Sequence, residues 1–206
     1  MPQEFLKNLL GHVKSNGMGY LILLAVFASG VISGWIMPSK ISAEDQSEMT
    51  QYLSGLLQEL PRAEIDNRLE MKNAFLSNGA LLLLIWFLGL TVIGSPLVLA
   101  ALFYKGMALG LAIGFLLRLD NPQGLVMVLL AVLPQNFLLV PLFIAASMLA
   151  AVFSLKLLRK EYSGVFGRQF LRYSLFFLVL LLGAGLSSCV QGYTVPWLLK
   201  SFFKIL

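Results

Sequence analysis

The sequence predicts an all-α, polytopic integral membrane bundle of about five transmembrane helices, and three observations carry that expectation. Apolar residues make up 58% of the 206 and charged residues only 12%, against roughly 25% charged in a soluble domain. Mean hydropathy is +0.84, so polar side chains are too few to cover a water-facing surface of this size. The apolar residues also fall into runs that match a hydrocarbon core of about 30 Å. The same composition excludes disorder and argues against a soluble enzyme. One Cys and one His are too few for a disulfide framework or a structural zinc site.

The elements follow in chain order. Over 1–16, Phe5, Leu6, Leu9, Leu10 and Val13 share one helical face, with Glu4, Lys7, Asn8 and Lys14 turned away from it. That is the pattern of a helix lying in the membrane interface. The first span is 19–37, closed by Pro38, and reaches ~28 Å at the helical rise. Lys7 and Lys14 ahead of it place the N-terminus in the cytoplasm. The run continues through Val31, Ile32 and Trp35 beyond Ala28-Ser29-Gly30, so it reads as an uncleaved anchor and not a signal peptide.

Segment 38–78 is expected to be an extracytoplasmic, helical loop. Met49, Tyr52, Leu53, Leu56, Leu57 and Leu60 recur at i, i+3, i+4, i+7, i+8 and i+11, the spacing of one apolar helix face. Ser42 with Asp45 forms a capping-box pattern and Pro61 ends the helix. A second outer helix, 62–77, presents Ile65, Leu69, Lys72 and Leu76 on one side.

The second span is expected over 80–103, interrupted by Gly94-Ser95-Pro96 and closed by Lys105. The third apolar run, 106–117, is short and stops before Arg118, Asp120, Asn121 and Pro122. The fourth, 125–155, is too long for one straight span and contains Pro134 and Pro141. The fifth is 171–190. Charge parity decides whether the short third run crosses. If it crosses, the basic loop 156–170 and nearby Arg172 are cytoplasmic, as the positive-inside rule prefers, and the C-terminus lies outside. The cytoplasmic side then carries eight Lys/Arg against Glu4 and Glu161, and the outer side seven bases against eight acids. In the tail 191–206, Trp197, Leu198, Leu199, Phe202, Phe203, Ile205 and Leu206 surround a narrow stripe of Lys200, Ser201 and Lys204, a second interfacial helix.

The net charge of +5 does not indicate nucleic acid, because no basic groove interleaved with aromatics lies outside the spans. The bases orient spans and meet the headgroups of the bilayer. Catalytic chemistry is poorly represented. His12 precedes every span and has no identifiable Ser or Asp partner in the membrane, and Cys189 reads as a small packing residue. Intramembrane proteolysis would need a Ser–His pair, two Asp residues or a metal-binding His cluster. No catalytic residue, metal site or cofactor is therefore expected.

Three sets of residues remain as candidates. Gly106, Gly110 and Gly114 recur every four residues on one face, as do Gly30 and Gly34 on the first span. Small-residue faces let helix backbones approach closely in lipid, or let a ligand do so. The second set is the polar break at Pro134, Gln135 and Asn136, followed by Pro141. Its amides can satisfy carbonyls freed by proline; alternatively the break meets Gly94-Ser95-Pro96, and Pro96 and Asn136 line one wet groove. The third is the outer face of Tyr52, Leu53 and Leu56, which suits a partner protein or the protein's own dimer, so a homo-oligomer stays open.

With the spans placed, the chain resembles the stage II sporulation protein M family. The resemblance lies in Phe75 to Gly79 (FLSNG), Trp86-Phe87-Leu88-Gly89-Leu90, Ile93-Gly94-Ser95-Pro96 and Lys105-Gly106. It continues through Gly110, Gly114 and Phe115, the Leu133-to-Asn136 motif with Pro141, Phe153-Ser154, and Leu157 to Arg159. The resemblance implies a role in engulfment, when the mother-cell membrane migrates around the forespore. It also implies partners, the peptidoglycan-degrading stage II sporulation proteins P and D, anchored at the septum and the leading membrane edge. Two functions from different classes follow: a membrane scaffold for cell-wall hydrolases, and a permease-like or channel-like subunit using the broken second and fourth spans.

Overall fold

The computed structural model describes residues 17–59, 66–119, 122–160 and 166–205. The helix expected over 1–16, with His12, lies outside them, as do Leu60, Ile65 and the side chains of Leu56, Leu57, Phe202 and Phe203. Among the described residues every regular element is helical. Helix α1 (Gly17–Ile36) ends in a 3-10 turn, Met37–Ser39, and is followed by α2 (Ala43–Glu59), α3 (Asn67–Gly89) and α4 (Gly94–Leu116). Helix α5 (Pro122–Met127) passes through a π-turn, Val128–Val132, into α6 (Leu133–Leu158). Helix α7 (Phe166–Cys189) passes through a second π-turn, Val190–Thr194, into α8 (Val195–Ile205). Five segments are long and apolar enough to cross a bilayer: Gly17–Ser39, Asn67–Gly89, Gly94–Leu116, Gly124–Leu158 and Phe166–Leu199.

The second and third spans lie elsewhere than 80–103 and 106–117. The chain turns at 90–93, where Thr91 N–H and Oγ donate to the Leu88 carbonyl at 3.0 and 2.7 Å and Gly94 N–H donates to Thr91 O at 3.1 Å. Ser154 of α6 holds this turn: its hydroxyl donates to Thr91 O at 2.8 Å and accepts Ser95 N–H at 3.0 Å. A Cβ on Gly94 would fall on the Leu88 carbonyl, so only glycine fits there. Gly94-Ser95-Pro96 is thus the start of α4, and Pro96 sits in a first turn, where its missing N–H costs nothing.

Two consequences follow from that turn. Segment 67–77 forms the first three turns of α3, capped by Asp66, whose carboxylate accepts the N–H groups of Arg68 and Leu69 at 3.0 and 3.3 Å. Lys105 becomes the middle residue of the 23-residue α4 and does not close a span.

The third span, α4, is long and apolar enough to cross. At ~35 Å it is as long as the hydrocarbon core, and its neighbours give its direction. Gly106, Gly110 and Gly114 pack on the backbone of Phe27, Val31 and Trp35 in that order, while Arg118 Nη2 reaches Ser39 Oγ at 2.7 Å. Helices α1 and α4 therefore run parallel. Trp86 meets Ser174 and Cys189 meets Met71, so α3 and α7 run antiparallel. The pairs Ser95–Ser154 and Lys105–Phe143 make α4 and α6 antiparallel as well. The five spans thus alternate, with α2 and both π-turns at one end, here the α2 end, and the 90–93 turn at the far end.

The tail differs as well. Residues 195–205 continue α7 through the π-turn and pack on Val128–Val132, with Val195 and Leu199 buried. The bend centres on Gly192, where a Cβ would lie 2.6 Å from Met71 Cβ and 2.7 Å from Asn67 O. On the amphipathic face of α2, Tyr52 is 64% exposed, Met49 is exposed and Leu53 is half-buried. Half of the expected capping box forms: Asp45 N–H donates to Ser42 Oγ at 3.2 Å, while Asp45 Oδ2 accepts the Ser42 hydroxyl at 2.5 Å in place of its backbone N–H.

Candidate functional site: a polar cavity ending at Lys105

A cation in the middle of a span costs about 2.5–3.5 kcal/mol on insertion scales, and such residues face protein or water. Lys105 obeys this. Its Nζ donates to Asn78 Oδ1 at 2.7 Å and lies 5.0 Å from the centre of the Phe143 ring. Asn78 is buried, and its own Nδ2 donates back to Ala74 O at 2.9 Å, which fixes the amide with its oxygen toward the lysine. Among the described residues no carboxylate pairs with Lys105. An amide oxygen and a ring face solvate the ammonium without neutralising it, and two of its three N–H donors remain to be filled.

Lys105 borders a cavity of about 310 Å³, lined also by Glu70, Asn73, Ala74, Ser77, Asn78, Gln135, Asn136, Leu139 and Gln191. Glu70, Asn73, Ser77 and Asn78 fall on one α3 face by the i, i+3, i+7, i+8 rule. Glu70 lies eight residues nearer the α2 end than Asn78, a rise of ~12 Å, so the cavity deepens from the α2 end toward mid-span. Beyond Lys105 the bundle is dry: Leu82, Ile85, Val98, Leu102 and Phe143 have no exposed surface. Tyr173 and Phe153 stack nearby at 4.4 Å, and Tyr173 Oη donates to Trp86 O at 2.9 Å.

The two π-turns place the remaining polar groups. In each, the N–H after the turn bonds five residues back, Leu133 to Val128 and Val195 to Val190. Such bulges recur at functional sites. The first accommodates Pro134, and Asn136 Nδ2 donates to Val132 O at 2.7 Å. The Gln135 backbone carbonyl accepts the Ser187 hydroxyl at 3.0 Å, whereas Gln135 Oε1 is buried with no partner among the described residues. The second π-turn carries Gln191 to the rim.

Of the candidates named from sequence, Pro134, Gln135 and Asn136 are brought to this cavity. Pro96 is not. It lies at the far end, beside Ser154, some 28 Å along α6 from Gln135, so the two polar breaks do not line one groove. Gly106, Gly110 and Gly114 face α1, away from the cavity. Tyr52 and Leu53 stand on α2. Lys105, Asn73, Ser77, Asn78, Glu70 and Gln191 were missed, although a signal existed. The twelve-residue run 106–117 rises only ~18 Å and must borrow residues from before it, Lys105 included, to cross.

Three segments far apart in sequence meet here: Phe75 to Gly79, Lys105-Gly106, and Leu133 to Asn136. The family model described as stage II sporulation protein M matches residues 23–188, which covers all three. The chain belongs to the stage II sporulation protein M family. It is thereby a sporulation-related, multi-pass membrane protein, and the stage II sporulation protein M family is not known as enzymatic. No curated protein and no solved structure matches the chain.

Proposed function

We propose that this chain is a membrane anchor, without enzymatic activity of its own, for peptidoglycan-degrading enzymes at the sporulation septum. In that role it supports septal wall thinning and membrane migration during engulfment. Family membership supports the setting, and one structural observation carries the docking role. Helix α2 presents an apolar face on which Tyr52 and Met49 are exposed and Leu53 is only half-buried. A short solvated connector needs no such face, and Glu44, Asp45 and Glu48 on the same helix would be repelled by anionic headgroups. Burial against a protein satisfies both. Stage II sporulation proteins P and D are the partners the family suggests. The α2 end then faces out of the cytoplasm, in keeping with Lys156, Arg159, Lys160, Arg168 and Arg172 near the far end.

The test replaces Tyr52 and Leu56 with Glu and recovers the partner hydrolases from detergent-solubilised sporulating cells. The variant should reach the membrane in normal amount and lose the hydrolases. Unchanged recovery removes this face from the binding site, and loss of the chain itself assigns the face to internal packing. A permease-like role is the weaker reading, because a solute would have to pass the fully buried Leu82, Ile85, Val98, Leu102 and Phe143.

A further inference from the structure

The Lys105 cavity is not explained by docking at α2, and its chemistry specifies an occupant. Three requirements stand together. The unneutralised ammonium, with two donors to fill and only an amide oxygen and a ring face as partners, calls for an anion. Ser77, Asn73 and Gln191 add further donors around the same space. Glu70, Asn73 and Gln191 also bring acceptor oxygens to this lining, and acceptors call for donors. A bare oxyanion fills the first need and leaves the second open. Glu70 sets the third condition: a carboxylate at the rim disfavours a dianion. The group that meets all three has one negative charge and free hydroxyls.

The opening narrows the choice further. Asn73 and Ser77 line the cavity and are exposed, within the first three turns of the span. The cavity is therefore open near the α2 end of the bundle, at the depth where lipid headgroups meet a span. Its volume corresponds to about ten water molecules, room enough for a headgroup fragment.

We propose that this cavity binds a phosphodiester monoanion bearing free hydroxyls, the chemistry of a phosphatidylglycerol headgroup. Lys105 takes a phosphate oxygen, Ser77 and Asn73 line the approach, and the acceptors of Glu70 and Gln191 take hydroxyls. The same chemistry could arrive on a lipid or as a soluble glycerophosphodiester, and the opening admits both. The site is independent of the partner face on α2.

The test uses the full chain purified in neutral detergent and follows its thermal unfolding. Three probes are added in turn: phosphatidylglycerol, phosphatidylcholine and soluble glycerophosphoglycerol. Phosphatidylglycerol should raise the midpoint by several degrees and phosphatidylcholine should not, since ligand that binds only the folded state stabilises it. A matching rise with glycerophosphoglycerol identifies a soluble ligand, and a rise with phosphatidylglycerol alone identifies a lipid. Lys105→Met should unfold cooperatively and lose the rise. The double variant Asn73→Ala/Ser77→Ala leaves the cation in place and should raise the phosphatidylglycerol concentration for half-maximal effect about tenfold. Equal rises with both lipids, a full rise in Lys105→Met, or an unchanged half-maximal concentration in the double variant would overturn the proposal. So would the absence of any rise in the parent, which would leave a cavity holding water alone.

Discussion

Replacing Gly110 by alanine adds one methyl group at the tightest helix crossing in the bundle. A Cβ there would fall on the Val31 carbonyl oxygen and lie 2.8 Å from its carbon and 2.9 Å from its Cα. Ordinary contact needs 3.4 Å or more, and the obstructing atoms are backbone, with no rotamer to swing aside. Helices α1 and α4 must therefore part by over half an ångström. The parting is not local. Gly30 and Gly34 of α1 sit nearly as close to Phe103 and Met107 of α4, as does Gly106 to Phe27, and Gly114 packs more loosely on Trp35, with a Cβ 2.9 Å from its carbonyl oxygen. A gap of 0.5–1 Å forfeits a quarter to a half of each dispersion contact along that seam. Overpacking of this kind costs typically 1–3 kcal/mol, and a backbone obstruction places Gly110→Ala at about 2–3 kcal/mol. The control is Gly55→Ala in α2, where nothing lies within 4 Å of the added methyl; stability should stay level or rise by up to about 1 kcal/mol through helix propensity. Reversible unfolding in mixed micelles, titrated with denaturing detergent and read by tryptophan fluorescence, measures both. If Gly110→Ala were as stable as the parent, the seam would not be close-packed. If Gly55→Ala lost as much, the effect would be generic to glycine.

Three further outcomes are expected. On a Cys189→Ser background, single cysteines at Ser47 and Ser201 should react with a membrane-impermeant thiol reagent in intact, wall-stripped cells, while one at Ser163 should not; labelling at 163 would invert the proposed orientation. Asn136→Leu removes the 2.7 Å bond to Val132 O at the π-turn and should lower bundle stability by about 1–2 kcal/mol with insertion retained, measured by the same unfolding titration. Ser154→Ala leaves Ser95 N–H and Thr91 O without their shared hydroxyl and should cost about 1–3 kcal/mol; faster proteolysis between 90 and 93 would report the loosened turn, and an unchanged cleavage rate would show that the hydroxyl does not hold it.

What the sequence determined by itself was the solvent, the helical class and the number of crossings. These are local quantities. Run length is compared with bilayer thickness, and every backbone group in hydrocarbon must find its partner within its own helix. The seam glycines, Gly30 and Gly34 against Gly106, Gly110 and Gly114, were legible for the same reason, since a four-residue period needs no knowledge of the partner. The placement of Lys105 was not. A lysine that ends a span and a lysine buried in the middle of one have the same hydropathy, and only the facing helix tells them apart. Here Asn78 receives the ammonium and Phe143 covers it, so α4 tolerates a charge that reads along the chain as a boundary. Moving that boundary moved the turn to 90–93, drew 67–77 into α3, and carried Pro96 to the far end from Gln135. The cavity is likewise a tertiary product. Its polar groups come from three spans and the second π-turn, and no window of sequence contains the distances between them.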